Sequence, residues 1–182
     1  MNEPGRLIVL TGASGSGKTT IAKTIEQIAQ TGIEVRFFDT IGVPSIEEMI
    51  ERYGSPEDWQ AAKTHEWFAT LAPLLRSGVS VIFDGQMRIG FVEAAAAAAD
   101  LDRPTIVLVD CDDEVRRRRR AVDRQQPELA NADMMNWAAF LRREAIDDAA
   151  IVLDTSVLSV DQSVHHILEL MDAPVRNQWQ SR

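Results

Sequence analysis

"LTGASGSGKTTIA", Leu10 to Ala22, begins at the end of the apolar run Leu7 to Leu10 and decides the fold. It fits G-x-x-x-x-G-K-[ST] at Gly12, Gly17, Lys18 and Thr19, the spacing of a loop that joins a strand to a helix and wraps phosphate in backbone amides. Glycines let the chain curl so that successive N–H groups point inward, and the N-terminus of the following helix adds its positive dipole end. Gly12, Ala13, Ser14, Gly15, Ser16 and Gly17, with Lys18, Thr19 and Thr20 on the first helical turn, are therefore the candidate cofactor-binding residues. Lys18 is placed to reach the β- and γ-phosphates of a nucleoside triphosphate, and the Thr19 hydroxyl to bind Mg²⁺.

Working outward, apolar runs bounded by turn residues alternate with helix-length segments, the pattern of a parallel sheet with crossover helices. The predicted strands are Arg6 to Leu10, Glu34 to Phe38, Val79 to Phe83, Thr105 to Asp110 and Ala150 to Leu153. Thr19 to Gln30 carries a 3.6-period stripe of Ile21, Ala22, Ile25, Ile28 and Ala29. Ser45 and Glu48 stand in capping-box spacing ahead of a short helix ending at Tyr53. A longer helix is predicted from about Glu57 to Arg76, and the alanine run Ala94 to Ala99 reads as helix because alanine is the best helix former. Asp112 to Arg124 and Met134 to Asp148 are two further helical patterns joined through Pro127 and Asn131.

The chain has 182 residues, 45% hydrophobic and 26% charged, enough for one domain with a full core. The reading is a single domain over 1–174, a lid at about 116–143, an acceptor-binding insert at about 41–77 and a C-terminal tail at 175–182. A net charge of −9 argues against wrapping nucleic acid, which needs a broad basic face. No apolar run approaches the roughly 18 residues of a membrane span. One cysteine, Cys111, rules out an internal disulfide framework and a cysteine-rich metal site. These features predict a cytoplasmic protein, monomer or homodimer, that works on a small molecule without nucleic acid or membrane.

Four further groups could carry chemistry. Asp39 ends the second apolar run, beyond which an open α/β sheet places its ligands, so it is a candidate base for an acceptor hydroxyl or a Mg²⁺-shell ligand; a turn aspartate is the plainer reading. In "VIFDGQMR", Asp84 could hold a metal through water, Gly85 allows a ligand close, and Arg88 could clamp an anion. Five consecutive arginines, Arg116 to Arg120, precede Arg124; on one continuous helix Arg116, Arg120 and Arg124 share a face, and the row would favour an anion between them. Acidic neighbours offer a solvated helix with surface ion pairs instead. Arg120 and Arg124 are the candidate phosphate contacts, with Arg142 or Arg143 as a second clamp. Trp59, His65, Trp67, Phe68 and Met49 could wall an acceptor site, although helical spacing favours core, and His165 and His166 read as surface or packing residues.

With these residues quoted, the chain resembles the small P-loop kinases, the group that includes adenylate, shikimate, gluconate and adenylylsulfate kinases. "LTGASGSGKTTIA" with "EVRFFD" is similar to the opening of adenylylsulfate and gluconate kinases. "DGQMR" is similar to the Asp-Gly-Phe-Pro-Arg element of adenylate kinases, with Gln86 and Met87 in place of Phe-Pro. "RAVDR", Arg120 to Arg124, resembles the arginine pair that opens their lids, and "VLDTSVLSVDQSV" their last strand and helix. The resemblance implies a three-layer α/β P-loop fold with a five-stranded parallel sheet in 2-3-1-4-5 order. It also implies a lid over ATP, Thr155 beside the adenine, and in-line transfer of the γ-phosphoryl group with Mg²⁺. Lys18, Asp39, Arg120 and Arg124 would be catalytic, and Asp39, Asp84, Arg88 and Arg142 would meet the acceptor. A small hydroxyl-bearing metabolite or antibiotic is the expected acceptor. A nucleoside monophosphate kinase, or a slow ATPase acting as a nucleotide-binding switch, is the alternative.

Overall fold

In the computed structural model, which describes residues 3–29, 31–123 and 132–172, the five apolar runs become the strands β1 (Leu7–Thr11), β2 (Ile33–Phe37), β3 (Ser80–Asp84), β4 (Thr105–Asp110) and β5 (Ile151–Asp154). All neighbours run parallel, in the order β2-β3-β1-β4-β5. β1 is central and all five of its residues are buried, because a parallel strand with helices on both faces meets no solvent.

The helices are α1 (Lys18–Ile28), α2 (Ile46–Tyr53), α3 (Pro56–Arg76), α4 (Ile89–Ala98), α5 (Asp113–Arg118), α6 (Ala132–Asp147) and α7 (Val160–Asp172). α1 and α7 cover one face through Ile21, Ile25, Val164 and Ile167. The other face is covered by Phe68, Leu71 and Leu75 of α3, Ile89 and Val92 of α4, and Leu141 of α6. The predicted caps form: the Ser45 hydroxyl accepts from the Glu48 amide and the Glu48 carboxylate accepts from the Ser45 amide. The alanine run is helix α4, as its composition dictates. Met49, Trp59 and Phe68 are buried in the core, and Trp67 packs on it with its indole N–H donating to the Phe38 carbonyl, so these side chains hold the fold together. His165 and His166 are exposed beside Glu169, while Cys111 is buried and its thiol is pushed up by burial.

α5 stops at Arg118 and passes into a π-helical turn, Arg119–Asp123, and the stems of Arg116 and Arg120 still share a face, both lying against Gly15. Arg124, Pro127, Asn131 and the tail from 175 lie outside the described residues.

Register fixes where ligands can go. Leu10 and Phe37 both pair with Asp84, and Asp110 pairs with Asp154, so the carboxyl ends of the strands share one edge. The glycine loop, the 3₁₀ turn Phe38–Ile41, the Asp84 to Arg88 segment, Asp110 and Thr155 all leave the sheet there.

Candidate functional site

Between β1 and α1 the loop turns on three glycines in the positive-φ region, Gly12, Gly15 and Gly17. Gly12 has a second constraint: a Cβ there would lie 2.2 Å from the Val109 carbonyl oxygen, so any side chain would push the loop off β4. Lys18, Ser16 and Ala13 are buried, and the Ser16 hydroxyl has no hydrogen-bond partner among the described residues. A buried, unsatisfied hydroxyl inside a loop of this shape fits an oxygen-rich guest, since leaving it unpaired costs free energy.

Thr19 and Asp84 meet beside Lys18. The Thr19 hydroxyl donates to Asp84 Oδ2 at 2.9 Å, while Asp84 Oδ1 is buried without a partner among the described residues. Burial pushes the Asp84 carboxyl above its ordinary range; the Lys18 ammonium and the Thr19 hydroxyl pull it back, and the Asp39 charge pushes it up again. That last effect places Asp39, exposed on the 3₁₀ turn after β2, within electrostatic reach of Asp84. Thr19 and Asp84 are in direct contact, and the charges of Lys18 and Asp39 both act on the Asp84 carboxyl. Among the described residues no group of three or more His, Cys, Asp or Glu could hold a metal ion. A cation at Thr19 and Asp84 would complete its shell from phosphate and water oxygens, as Mg²⁺ commonly does.

The Asp84 to Arg88 segment is held by side chains on either side. The Thr11 hydroxyl donates to the Met87 carbonyl at 2.5 Å and accepts from the Met87 amide at 3.2 Å. Gln60 donates to the Gln86 carbonyl and accepts from the Arg88 amide. Gly85 was expected to let a ligand approach; instead its Cβ position lies 2.6 Å from Phe38 Cβ, so the close approach is to the chain itself. Arg88 pairs with Glu57 at 2.8 Å and lies over Trp137 and Phe140, 5.0 and 4.8 Å from their ring centroids. Its Nε and the Trp137 indole N–H are buried with no partner among the described residues.

The arginine run divides its work. Arg116 is fully buried, with donors to the Ala13 and Ser14 carbonyls, the Asp110 carboxylate and the Cys111 carbonyl. Arg119, which sequence spacing did not single out, reaches the Gly15, Ser16 and Thr155 carbonyls and the Thr155 hydroxyl. Arg120 is buried with its stem against Gly15, and Arg117 and Arg118 face solvent. Thr155 is buried against the loop, its hydroxyl 2.7 Å from the Ser16 carbonyl. Arg142 is occupied within the chain: it donates to both oxygens of Asp110, to the Cys111 carbonyl and to Asp113, and lines a cleft of about 410 Å³ with Asp112 and Asp154. The hydrogen bonds that it donates to Asp110, opposed by burial and helped by those to Asp113, push its pKa further up.

A family model described as an AAA domain matches residues 8–155, the span from β1 to the threonine after β5. The chain belongs to the AAA domain family. A nucleotide-binding protein of Salinispora arenicola is 27% identical to this AAA domain over 175 residues, 92% of the chain; the chain spans about half the length of that relative, 52%. A sugar kinase from Janibacter superposes with a TM-score of 0.64 and 25% identity, covering 93% of this chain and 95% of the other. The tunicamycin resistance protein of Deinococcus radiodurans gives 0.67 at 17% identity, covering 93% and 97%. Shikimate kinase from Acinetobacter baumannii gives 0.61 at 18%, covering 93% and 94%. This AAA domain therefore has the P-loop kinase-like fold that its resemblance to the small P-loop kinases implied.

Proposed function

We propose that this protein is an ATP-dependent phosphotransferase acting on a small hydroxyl-bearing metabolite or antibiotic. The observation that carries the reading is the Thr19–Asp84 hydrogen bond beside the glycine loop, on a carboxyl that the charges of Lys18 and Asp39 both act on. The kinases among its structural neighbours support phosphoryl transfer, and the sugar and resistance proteins among them support a small organic acceptor. A net charge of −9 favours such an acceptor over nucleic acid. No described helix is long and apolar enough to cross a membrane. The same reading takes 41–77 as the acceptor-binding insert, 116–143 as the lid, and the cytoplasm as the place of work.

In this reading the loop amides and Lys18 hold the β- and γ-phosphates, which positions the phosphorus and offsets charge as it develops. Thr19 and Asp84 would hold Mg²⁺, which supplies further charge neutralisation. Asp39 takes the proton of the acceptor hydroxyl while its oxygen bonds to the γ-phosphorus; the bond from that phosphorus to the bridging oxygen breaks and ADP leaves. A nucleoside monophosphate acceptor is the second reading, favoured by the unpartnered Nε of Arg88, which could grip an acceptor phosphate and would make a base unnecessary.

The test is ATP consumption with Mg²⁺ against nucleoside monophosphates, sugars, sugar acids and antibiotics, scored over the rate without acceptor. Stimulation by a hydroxyl compound that falls at least about 100-fold in Asp39→Asn supports the first reading. Stimulation by a nucleoside monophosphate that survives Asp39→Asn supports the second. ATP binding with no stimulation by any acceptor would turn the reading toward a nucleotide-binding switch.

A further inference from the structure

Four consecutive carbonyls of the phosphate loop are gripped from outside. Arg116 Nη1 donates to Ala13 O at 3.3 Å and Ser14 O at 3.0 Å. Arg119 Nη1 donates to Gly15 O at 3.4 Å and Ser16 O at 3.3 Å, and the Thr155 hydroxyl also reaches Ser16 O. The Cys111 thiol stands 3.7 Å from Gly15 O. Behind the arginines stands a fixed frame. Arg116 pairs with Asp110 at the end of β4, Arg119 is seated on both the hydroxyl and carbonyl of Thr155 at 2.8 Å, and Asp110 also holds Arg142 of α6. The arginine stems close the outer wall, because a Cβ on Gly15 would meet Arg116 Cγ at 3.2 Å and Arg120 Cγ at 3.3 Å.

A trans peptide points its C=O and the following N–H in opposite directions. Anchoring these carbonyls on the outside therefore turns the amides of Ser14, Gly15 and Gly17 toward the loop's interior, where an anion would sit, while the Ser16 amide closes the turn by donating to the Ala13 carbonyl at 3.2 Å. Glycine-rich backbone does not hold such a curl unaided, since glycine loses more conformational freedom than any other residue on being fixed.

We propose that Arg116, Arg119 and Thr155 are positioning residues that pre-form the phosphate loop by holding its carbonyls outward, and that the arginine run acts on phosphate through this brace and not as a row of charges facing it. The inference rests on the phosphate-loop reading above. It makes a sharp distinction within the run: Arg119 is part of the brace, while Arg117 and Arg118, with the same charge and one or two residues away, are exposed.

Calorimetric titration with ADP and Mg²⁺ tests it on the full chain. Arg119→Met should weaken ADP about tenfold, about 1.4 kcal/mol, and Thr155→Val should weaken it severalfold. Arg117→Met and Arg118→Met should stay within twofold. The double variant Arg119→Met with Thr155→Val should fall short of the product of the single effects, because both groups grip the Ser16 carbonyl. In turnover, Arg119→Met should raise KM for ATP more than it lowers kcat, and Arg119→Lys should recover part of the loss; a general weakening of the fold would do neither. The proposal is overturned if Arg119→Met binds ADP within twofold of the parent, or if Arg117→Met and Arg118→Met weaken it equally, as a diffuse positive field would. If the parent protein itself binds no ADP, the phosphate-loop reading fails and takes the brace with it.

Discussion

The Lys18 charge acts on the Asp84 carboxyl, and removing either group should cost activity and leave the fold in place. Lys18 touches the reacting phosphates in the proposed reaction, so Lys18→Ala should cost about 10²- to 10³-fold in acceptor-stimulated ATP turnover. The chain should still fold, because the helix α1 core residues Ile21, Ala22 and Ile25 are untouched. Asp84 is a carboxylate that burial disfavours in its charged form. Asp84→Asn removes that charge and keeps an acceptor for the Thr19 hydroxyl, so the thermal midpoint at neutral pH should hold or rise. Turnover should fall about 10- to 100-fold, with the loss partly recovered by raising Mg²⁺. A midpoint that drops by many degrees in Asp84→Asn would show the carboxylate to be structural.

At the scale of elements, α6 reaches across the site and caps α4: Glu144 Oε2 accepts from the Ile89 amide at 2.9 Å. Burial raises the pKa of Glu144, against the pull of the Ile89 and Gly90 amides and of Arg88, with Asp148 adding to the rise. The folded state therefore binds this proton more tightly than the unfolded chain does, and the group's contribution to stability falls as pH rises from the ordinary carboxylate value through the raised one. Glu144→Gln keeps an acceptor for the amide and cannot titrate. Its midpoint relative to the parent should climb as pH rises across that mildly acidic window and stay level above it, which thermal melts over a pH series would read directly. A difference that is flat with pH would remove Glu144 from the account. The elements themselves were legible because their signals are local: the capping box of α2, the alanine run of α4 and the glycine loop each declare themselves within a few residues. What escaped was the end of α5. The helical pattern from Asp112 carries no local mark of the change to a π turn at Arg119, a segment whose Arg116 and Arg119 are tied to carbonyls of the phosphate loop more than a hundred residues away. The tie between Arg142 and Asp110 was equally beyond local reading, since the two are 32 residues apart.

Across the whole molecule, the proposed ligand would touch the carboxyl ends of several strands at once: the loop after β1, the turn after β2 through Asp39, and β3 through Asp84, with Thr155 after β5 bracing the loop from behind. The sheet is a single five-stranded unit with β1 at its centre. Occupying the site should thus stabilise the domain as one body, as mass action requires of any ligand that binds only the folded form. At 100 times its dissociation constant, ADP with Mg²⁺ should add about 2.7 kcal/mol. For a domain of this size that corresponds to a rise in thermal midpoint of roughly 5–10 °C. The variants divide the effect: Lys18→Ala should lose most of the shift, while Asp84→Asn should lose only the increment that Mg²⁺ adds to ADP alone. A rise of equal size in Lys18→Ala would mean that the nucleotide stabilises the protein from somewhere other than the glycine loop. Adenosine, which lacks phosphate, should give almost no shift, because the loop is built around backbone amides and Lys18 and has nothing to grip without an anion.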